Sequence, residues 1–222
     1  GLLAGWGLET TVAEMIAGVK DVTPAIVRII AAGVLTGMLV KTGAASTIAK
    51  SIIKALGPKY IYLALALSAL ILTAMGVFID VAVITIAPIA IITGCKLKLS
   101  KFKLLLAMIG GGKCGNIISP NPNTIIAAEN FDAPLSSVMG AGILPALIGL
   151  AVTVFVIVPL MPKGDLMDGE QDDAKDEDLP SLWRSLIGPI VTIVLLALRP
   201  MAGIVVDPMI ALPVGGLVGI IT

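Results

Sequence analysis

The sequence predicts an all-α, polytopic membrane protein that contains a re-entrant helical hairpin and a discontinuous transmembrane helix. Hydrophobic residues make up 57% of the 222 residues and charged residues only 14%, whereas charged residues are about a quarter of an ordinary globular chain. Several apolar runs approach the roughly 20 residues that a helix needs to cross the hydrocarbon core of a bilayer. Leucine, isoleucine, alanine and glycine dominate these runs, and short alternating segments are missing, which argues against an outer-membrane barrel.

Composition also narrows the classes of function. The net charge is zero, so no nucleic-acid partner is expected. The chain has no histidine, which excludes every histidine-based catalytic or metal site. Cys95 and Cys114 form no CxxC pattern and are interpreted as incidental small residues. The chain begins at Gly1 and ends on GLVGIIT, inside an apolar run, so we expect a piece of a longer protein.

The first crossing is predicted over residues 24–40, with Arg28 near one end. Residues 1–21 are interpreted as the tail of a preceding span followed by a loop. Two lysine-rich connections then flank the apolar block 61–94. They contain Lys41, Lys50, Lys54 and Lys59 before the block, and Lys96, Lys98, Lys101 and Lys103 after it. Because lysine-rich short loops mark the cytoplasmic side, both ends of the block are predicted to face the cytoplasm.

The block 61–94 favours a re-entrant hairpin. It has 34 residues, whereas two full crossings and a turn need roughly 40 or more. The tip is expected near AMGVFIDVA, where Gly76 loosens the helix and Asp80 introduces a carboxylate. An ionisable residue at membrane depth is costly and usually functional, so Asp80 is the candidate for binding the coupling proton. Two thin, tilted spans with Asp80 at the outer interface are the alternative.

A broken span is predicted over residues 104–128, because it contains GGGKCGNIISPNPNT. Gly110, Gly111 and Gly112 are expected to weaken the helix, while Pro120 and Pro122 each remove a backbone donor. Backbone groups freed inside a membrane are tolerated only where protein or a water-filled cavity satisfies them. Secondary transporters use such breaks to bind anions at half-helix N-termini and cations at freed carbonyls.

The side chains around this break suit an anionic substrate. We predict that one positive charge and several neutral donors and acceptors bind it: Lys113, Asn116, Ser119, Asn121, Asn123 and Thr124. Thr124 or Asn123 is expected to cap the half-helix that restarts at IIAA. The alternatives are a kinked span whose polar groups face a neighbouring helix and, for Lys113, a side chain that snorkels to the cytoplasmic side.

The remaining elements follow the broken span. ENFDAP is interpreted as external, and residues 137–161 are predicted to cross back. Residues 162–184 form an acidic linker, predicted to be cytoplasmic and solvated rather than a metal site. A further span is predicted over 185–206, and another begins at Asp207.

The order of these motifs resembles the gluconate permease family of the ion transporter superfamily. The resemblance rests on FIDV followed by APIAI, then SPNPNT, then IIAAENFDAP and a long return helix. SLWRSLIGPIVTIVLLALRPMAG and DPMIALP resemble the start of the family's second half. Family members typically carry a glutamate at the position of Asp80 and a Pro-Pro-His-Pro-like run at Ser119 to Pro122. The carboxylate is therefore retained, whereas Asn121 replaces the histidine and Lys113 is not typical.

The resemblance implies a proton-coupled symporter that imports gluconate or a related sugar acid or hydroxy-carboxylate by alternating access. It implies two inverted repeats, of which residues 1–161 are the first and residues 185–222 begin the second. The expected location is the bacterial cytoplasmic (inner) membrane, and no cofactor besides the coupling ion is expected. The expected partners are the organic anion, the lipid bilayer and the missing second repeat, with a homodimer left open.

Three alternatives remain at this point. The first is a carrier of dicarboxylates or lactate-type acids with Na⁺ as the coupling ion. The second is a channel, since Asn-Pro pairs at half-helix tips also line channels, although Asn121-Pro122 occurs once where a matched second copy is expected. The third is an intramembrane enzyme, which is disfavoured because the chain lacks histidine, a Gly-x-Ser-x-Gly motif and paired membrane aspartates.

Overall fold

The described part of the chain is helical, as predicted. The computed structural model describes residues 1–162, 164–167 and 179–221. Its α-helices are α1 (Leu8–Lys41), α2 (Ala44–Leu56), α3 (Ile61–Ala74), α4 (Ile79–Lys96), α5 (Lys101–Ile117), α6 (Pro122–Asn130), α7 (Leu135–Ala141), α8 (Ile143–Val152), α9 (Val158–Leu160), α10 (Leu182–Ala202) and α11 (Pro208–Ile221).

Three helical segments of the described chain are long and apolar enough to cross a membrane. They are Leu8–Lys41, Ile79–Lys96 and Leu135–Leu160, the last of which contains a π-helical turn at Thr153–Ile157. A fourth is added if α2 and Pro58–Ala74, which are bent by 106°, count as one span. The protein is therefore a multi-pass membrane protein, and Leu135–Leu160 agrees with the predicted return crossing.

Helix α1 is longer than the predicted first span. It runs without interruption over 34 residues, so the stretch before Pro24 that was predicted as a loop is helical from Leu8. Pro24 lies inside the helix and has no backbone N–H, so it cannot donate the hydrogen bond that the Lys20 carbonyl would otherwise accept. Lys20 is exposed, which leaves that carbonyl free to find another partner. The proline is therefore tolerated within one helix rather than marking its start.

The predicted hairpin corresponds to α3 and α4, which pack against each other across a turn at residues 75–78. Gly76 takes a φ of +103°, a conformation that favours glycine. Helix α3 has 14 residues, nine of them buried, and α4 has 18. By length α4 is able to cross a membrane and α3 alone is not. The re-entrant path of the hairpin remains a prediction.

The span predicted over 104–128 is broken, but not at its glycines. Helix α5 continues through Gly110–Gly112 to Ile117, and the break comprises residues 118–121. A Cβ at Gly111 would collide with the Ala66 carbonyl, and one at Gly115 would collide with the Leu70 carbonyl. The glycines therefore let α5 lie directly on α3, the most extensive helix pair in the described chain. The expectation that they weaken the helix was wrong, because close packing compensates for their low helix propensity.

Both described ends of the acidic linker lie beside the lysine-rich connections. The Lys101 N–H donates to the Asp165 carbonyl at 3.1 Å, and the Met167 N–H donates to the Leu99 carbonyl at 2.8 Å. At the other end, the Thr47 hydroxyl donates to the Pro180 carbonyl at 3.0 Å. Each described end of the linker thus lies beside one lysine-rich connection, and the cytoplasmic location of both remains a prediction. Residues 168–178, which hold most of the acidic run, lie outside the described residues.

The start of the predicted second repeat packs against the first. Helix α11 contacts both α1 and α10, and a Cβ at Gly216 would lie 3.4 Å from the Val34 side chain. The largest apolar cluster joins α1, α2, α3 and α4 with two residues of α5 and one of α11. Leu35, Leu65 and Leu72 are fully buried in it. This core holds the hairpin turn and the break of the α5–α6 span in fixed positions.

Candidate functional site

The hairpin turn lies against the break in the α5–α6 span. A Cβ at Gly76 would stand 3.7 Å from Cγ of Pro120 and 3.8 Å from Cδ2 of Leu35. The Thr36 hydroxyl of α1 donates to the Gly76 carbonyl at 2.7 Å. Two non-helical segments therefore meet beside α1, and a side chain satisfies a carbonyl that the turn leaves free. We define residues 75–78 and 118–121 as the junction.

A second set of contacts joins the hairpin to α5 next to the junction. The Thr73 hydroxyl donates to the Gly112 carbonyl at 3.0 Å, and a Cβ at Gly112 would lie 2.8 Å from Cγ1 of Ile79. Asp80 and Lys113 directly follow Ile79 and Gly112 in sequence. The structure therefore places these two predicted site residues on adjoining parts of α4 and α5. Both are exposed within this chain.

The break itself is closed by the side chain of Asn121. Its Oδ1 accepts from the backbone N–H groups of Asn123 at 2.7 Å and Thr124 at 3.4 Å, and the Thr124 hydroxyl accepts from the Asn121 N–H at 3.2 Å. This reciprocal arrangement is a capping box. Asn121 is thus the N-cap of α6, two positions before Asn123 and three before Thr124, the two predicted caps. Thr124, at the third helical position, completes the capping box, and the side chain of Asn123 takes no part in it.

The amide nitrogen of Asn121 completes a closed hydrogen-bond network. It donates to the Ser119 hydroxyl at 2.6 Å and to the Asn116 carbonyl, while the Thr124 hydroxyl contacts the Ser119 carbonyl. Ser119, Asn121 and Thr124 are all buried, at 0%, 2% and 6% exposure. Their polar atoms are therefore satisfied by one another in this conformation.

Two other predicted site residues are not part of that network through their side chains. Asn123 is exposed at the start of α6. The side-chain Oδ1 of Asn116 is buried, and within the described residues no hydrogen-bond donor reaches it. Lys113, Asn123 and Asp80 are exposed within the described chain, whereas Asn116 is half-buried.

An ion cluster that the sequence interpretation missed lies at the other end of α6. Nε and Nη2 of Arg28 donate to the two carboxylate oxygens of Asp207, at 3.1 and 2.6 Å. Nη1 of Arg28 contacts Oε1 of Glu129. Asp207 also caps α11, since its Oδ1 accepts the Met209 N–H at 2.8 Å. Pairing with Arg28 is the main cause that lowers the pKa of the Asp207 carboxyl below its usual range.

The cluster borders a cavity of about 240 Å³ between α1, α6, α10 and the segment before α11. Asp132 and Ser136 add polar groups to its wall. A sequence signal for this site existed: an arginine inside an apolar helix is expected to find a carboxylate partner. The sequence did not say which carboxylate, since Glu129 and Asp207 lie far from Arg28 along the chain. Within the described residues, no group of three or more metal-ligating side chains is placed to hold a metal ion.

Comparisons with known proteins identify the family of the chain. The chain matches the family described as GntP family permease over residues 1–218. It is 54% identical over 213 residues to an uncharacterized transporter of Haemophilus influenzae, covering 96% of this chain and 51% of that protein. It is 25% identical to the high-affinity gluconate transporter of Escherichia coli, covering 92% of this chain and 47% of that protein.

A gluconate permease of Pseudomonas aeruginosa is 24% identical, with 92% of this chain and 47% of that protein covered. No solved structure matches the chain. The chain spans about half the length of the curated relatives it matches. Its predicted resemblance to gluconate permeases is confirmed over nearly its whole length: the chain belongs to the GntP family of permeases.

Proposed function

We propose that the full-length protein is a proton-coupled symporter of the bacterial inner membrane that imports gluconate or a related sugar acid. Transport follows alternating access around the junction, with the second repeat supplying the other wall of the site. The observation that carries this proposal is the contact between the hairpin turn at Gly76 and the break at Pro120. Breaks of this kind in secondary transporters line the substrate and ion sites.

The free groups beside the junction suit a hydroxylated carboxylate. Lys113 supplies a positive charge for the carboxylate, and Asn123 supplies a neutral donor and acceptor. The Oδ1 of Asn116 is buried and unpaired within the described residues, and it is proposed to accept a hydrogen bond from a substrate hydroxyl when the site opens. Ser119, Asn121 and Thr124 are proposed to shape the site by holding the break, and they reach the substrate directly only if the network opens. The similarity to a gluconate transporter of Escherichia coli and a gluconate permease of Pseudomonas aeruginosa supports the same substrate class.

Asp80 is proposed to bind the coupling proton. It lies in the first turn of α4, whose N-cap residue Phe78 provides no capping side chain. The positive end of the α4 dipole therefore attracts either the Asp80 carboxylate or a substrate carboxylate nearby. Protonation of Asp80 removes the competing charge, so proton and anion binding support each other.

The test is uptake by the purified full-length protein in liposomes. An imposed pH gradient, alkaline inside, should drive accumulation of labelled gluconate above its external concentration. Asp80→Asn should abolish the pH-driven component, whereas Glu9→Gln, an exposed carboxylate on α1, should leave it unchanged. Accumulation driven only by a Na⁺ gradient, or preferring dicarboxylates or lactate, would replace the proton and sugar-acid assignments. Equilibration without accumulation would indicate a channel and refute the symporter proposal.

A further inference from the structure

We propose that Arg28 is a carboxylate-binding residue at the outer end of the pathway, and that protonation of Glu129 makes it available to the substrate. The inference rests on the proposed function and adds a second site to it. In the described conformation, Asp207 holds two nitrogens of the Arg28 guanidinium and Glu129 holds the third. An incoming carboxylate must therefore displace one of these two partners.

Glu129 is the partner that is able to leave. Asp207 is fixed twice, because it binds Arg28 through both oxygens and caps α11 through the Met209 N–H. Bidentate pairs are the stronger and more directional arrangement. Glu129 contacts Arg28 through Oε1 alone, and it lies on the nine-residue helix α6 that follows the break. A neutral Glu129 loses the charge attraction to Nη1, and that nitrogen then faces the cavity.

The charges around the cavity set the direction of the coupling. Among the side chains that the structure describes, the charged groups lining it are one cation and three carboxylates: Arg28, Glu129, Asp132 and Asp207. When all are ionised, their excess negative charge repels an anion. Protonation of Glu129 reduces that repulsion and frees one guanidinium nitrogen, so one proton and one carboxylate bind together.

The position of the cavity suits a site that the substrate occupies before it reaches the junction. Ile125 and Ala128 of α6 line it, and Glu129 stands seven residues after Pro122, about 10 Å along the helix from the break. Helix α6 thus has the junction at its start and the Arg28 cluster at its end. A substrate bound at Arg28 is separated from the junction by about two turns of one short helix.

The experiment measures gluconate binding to the purified full-length protein between about pH 6 and pH 8, where a sugar acid stays ionised. In the unmodified protein, affinity should fall as the pH rises, by at most about tenfold per pH unit, the limit for one proton taken up with each anion. Glu129→Gln should remove most of this dependence and keep high affinity at pH 8. Glu129→Asp retains a titratable group and should keep the dependence. Arg28→Gln should weaken binding at every pH.

Three outcomes would overturn the proposal. In the first, Glu129→Gln binds with the unmodified pH dependence, which means that the cluster only fastens α11 to α1. In the second, Asp132→Asn removes the dependence and Glu129→Gln does not. In the third, Asp80→Asn alone removes it, which leaves the proposed transport function intact with Asp80 as the coupling carboxylate. Failure of the unmodified protein to bind or take up gluconate would instead refute the proposed function itself.

Discussion

Replacing Asn121 with alanine should destabilise the protein more than any other single change at the predicted site. The substitution removes the α6 cap, which costs about 1 kcal/mol. It also leaves the buried Thr124 N–H without its acceptor, and an unsatisfied buried donor costs about 1–3 kcal/mol. The Ser119 hydroxyl and the Asn116 carbonyl lose a donor as well. Because these groups share one network, their costs do not simply add, and the expected total is about 2–4 kcal/mol.

The assay is the thermal unfolding midpoint of the purified full-length protein in detergent. Asn123→Ala is the matched control, since Asn123 is an exposed asparagine two positions away on the same helix. It should leave the midpoint nearly unchanged and weaken gluconate binding instead. Asn121→Asp should fall between the two. Aspartate caps a helix as well as asparagine does, but its second oxygen cannot donate to the Asn116 carbonyl.

The comparison separates a structural role from a binding role at the break. If Asn121→Ala unfolds at the same temperature as Asn123→Ala, the closed network does not hold the break, and the reasoning from buried, mutually satisfied groups fails. If Asn123→Ala is the destabilised variant, the assignment of the cap is wrong.

Two further predictions concern packing and topology. Gly111→Val should sharply lower the yield of folded protein, because its side chain would collide with the Ala66 carbonyl of α3. Gly140→Ala should be tolerated, because nothing lies within 4 Å of a Cβ there. Equal yields of the two variants would contradict the close approach of α5 to α3. In a cysteine-free background, Met75→Cys at the hairpin turn should not react with a bulky, impermeant thiol reagent added outside cells, whereas Asp132→Cys should react. Reaction at position 75 would show that α3 and α4 are two full crossings rather than a re-entrant hairpin.

Much of the element order could be predicted from hydropathy and from helix-breaking residues. The turn after α3 falls where Gly76 was expected to loosen the chain, and the break falls at SPNP, where two prolines remove backbone donors. Proline chemistry is local, so its effect at Pro120 and Pro122 is readable without tertiary information. The first crossing was predicted to begin at Pro24, whereas helix α1 begins at Leu8 and continues through this proline.

The role of the glycines could not be predicted in the same way. A glycine in an apolar run either weakens a helix or lets another helix approach, and the sequence around Gly111 is the same in both cases. The nearby Ala66 backbone decides between them. The cap was missed for a related reason: Asn121, Asn123 and Thr124 are all good capping types, and only the backbone path shows that Asn121 occupies the N-cap position.

By itself, the sequence determined the class of protein and the approximate positions of its turn and its break, because apolar length and missing backbone donors act locally. It did not predict helix α2, which lies in a stretch interpreted only as a connection. The tertiary structure decided which separated segments meet. It placed Gly76 against Pro120, and it brought Glu129 and Asp207 to Arg28 from positions far along the chain. The pairing of charges depends on distance in space, and a single sequence carries no record of that distance.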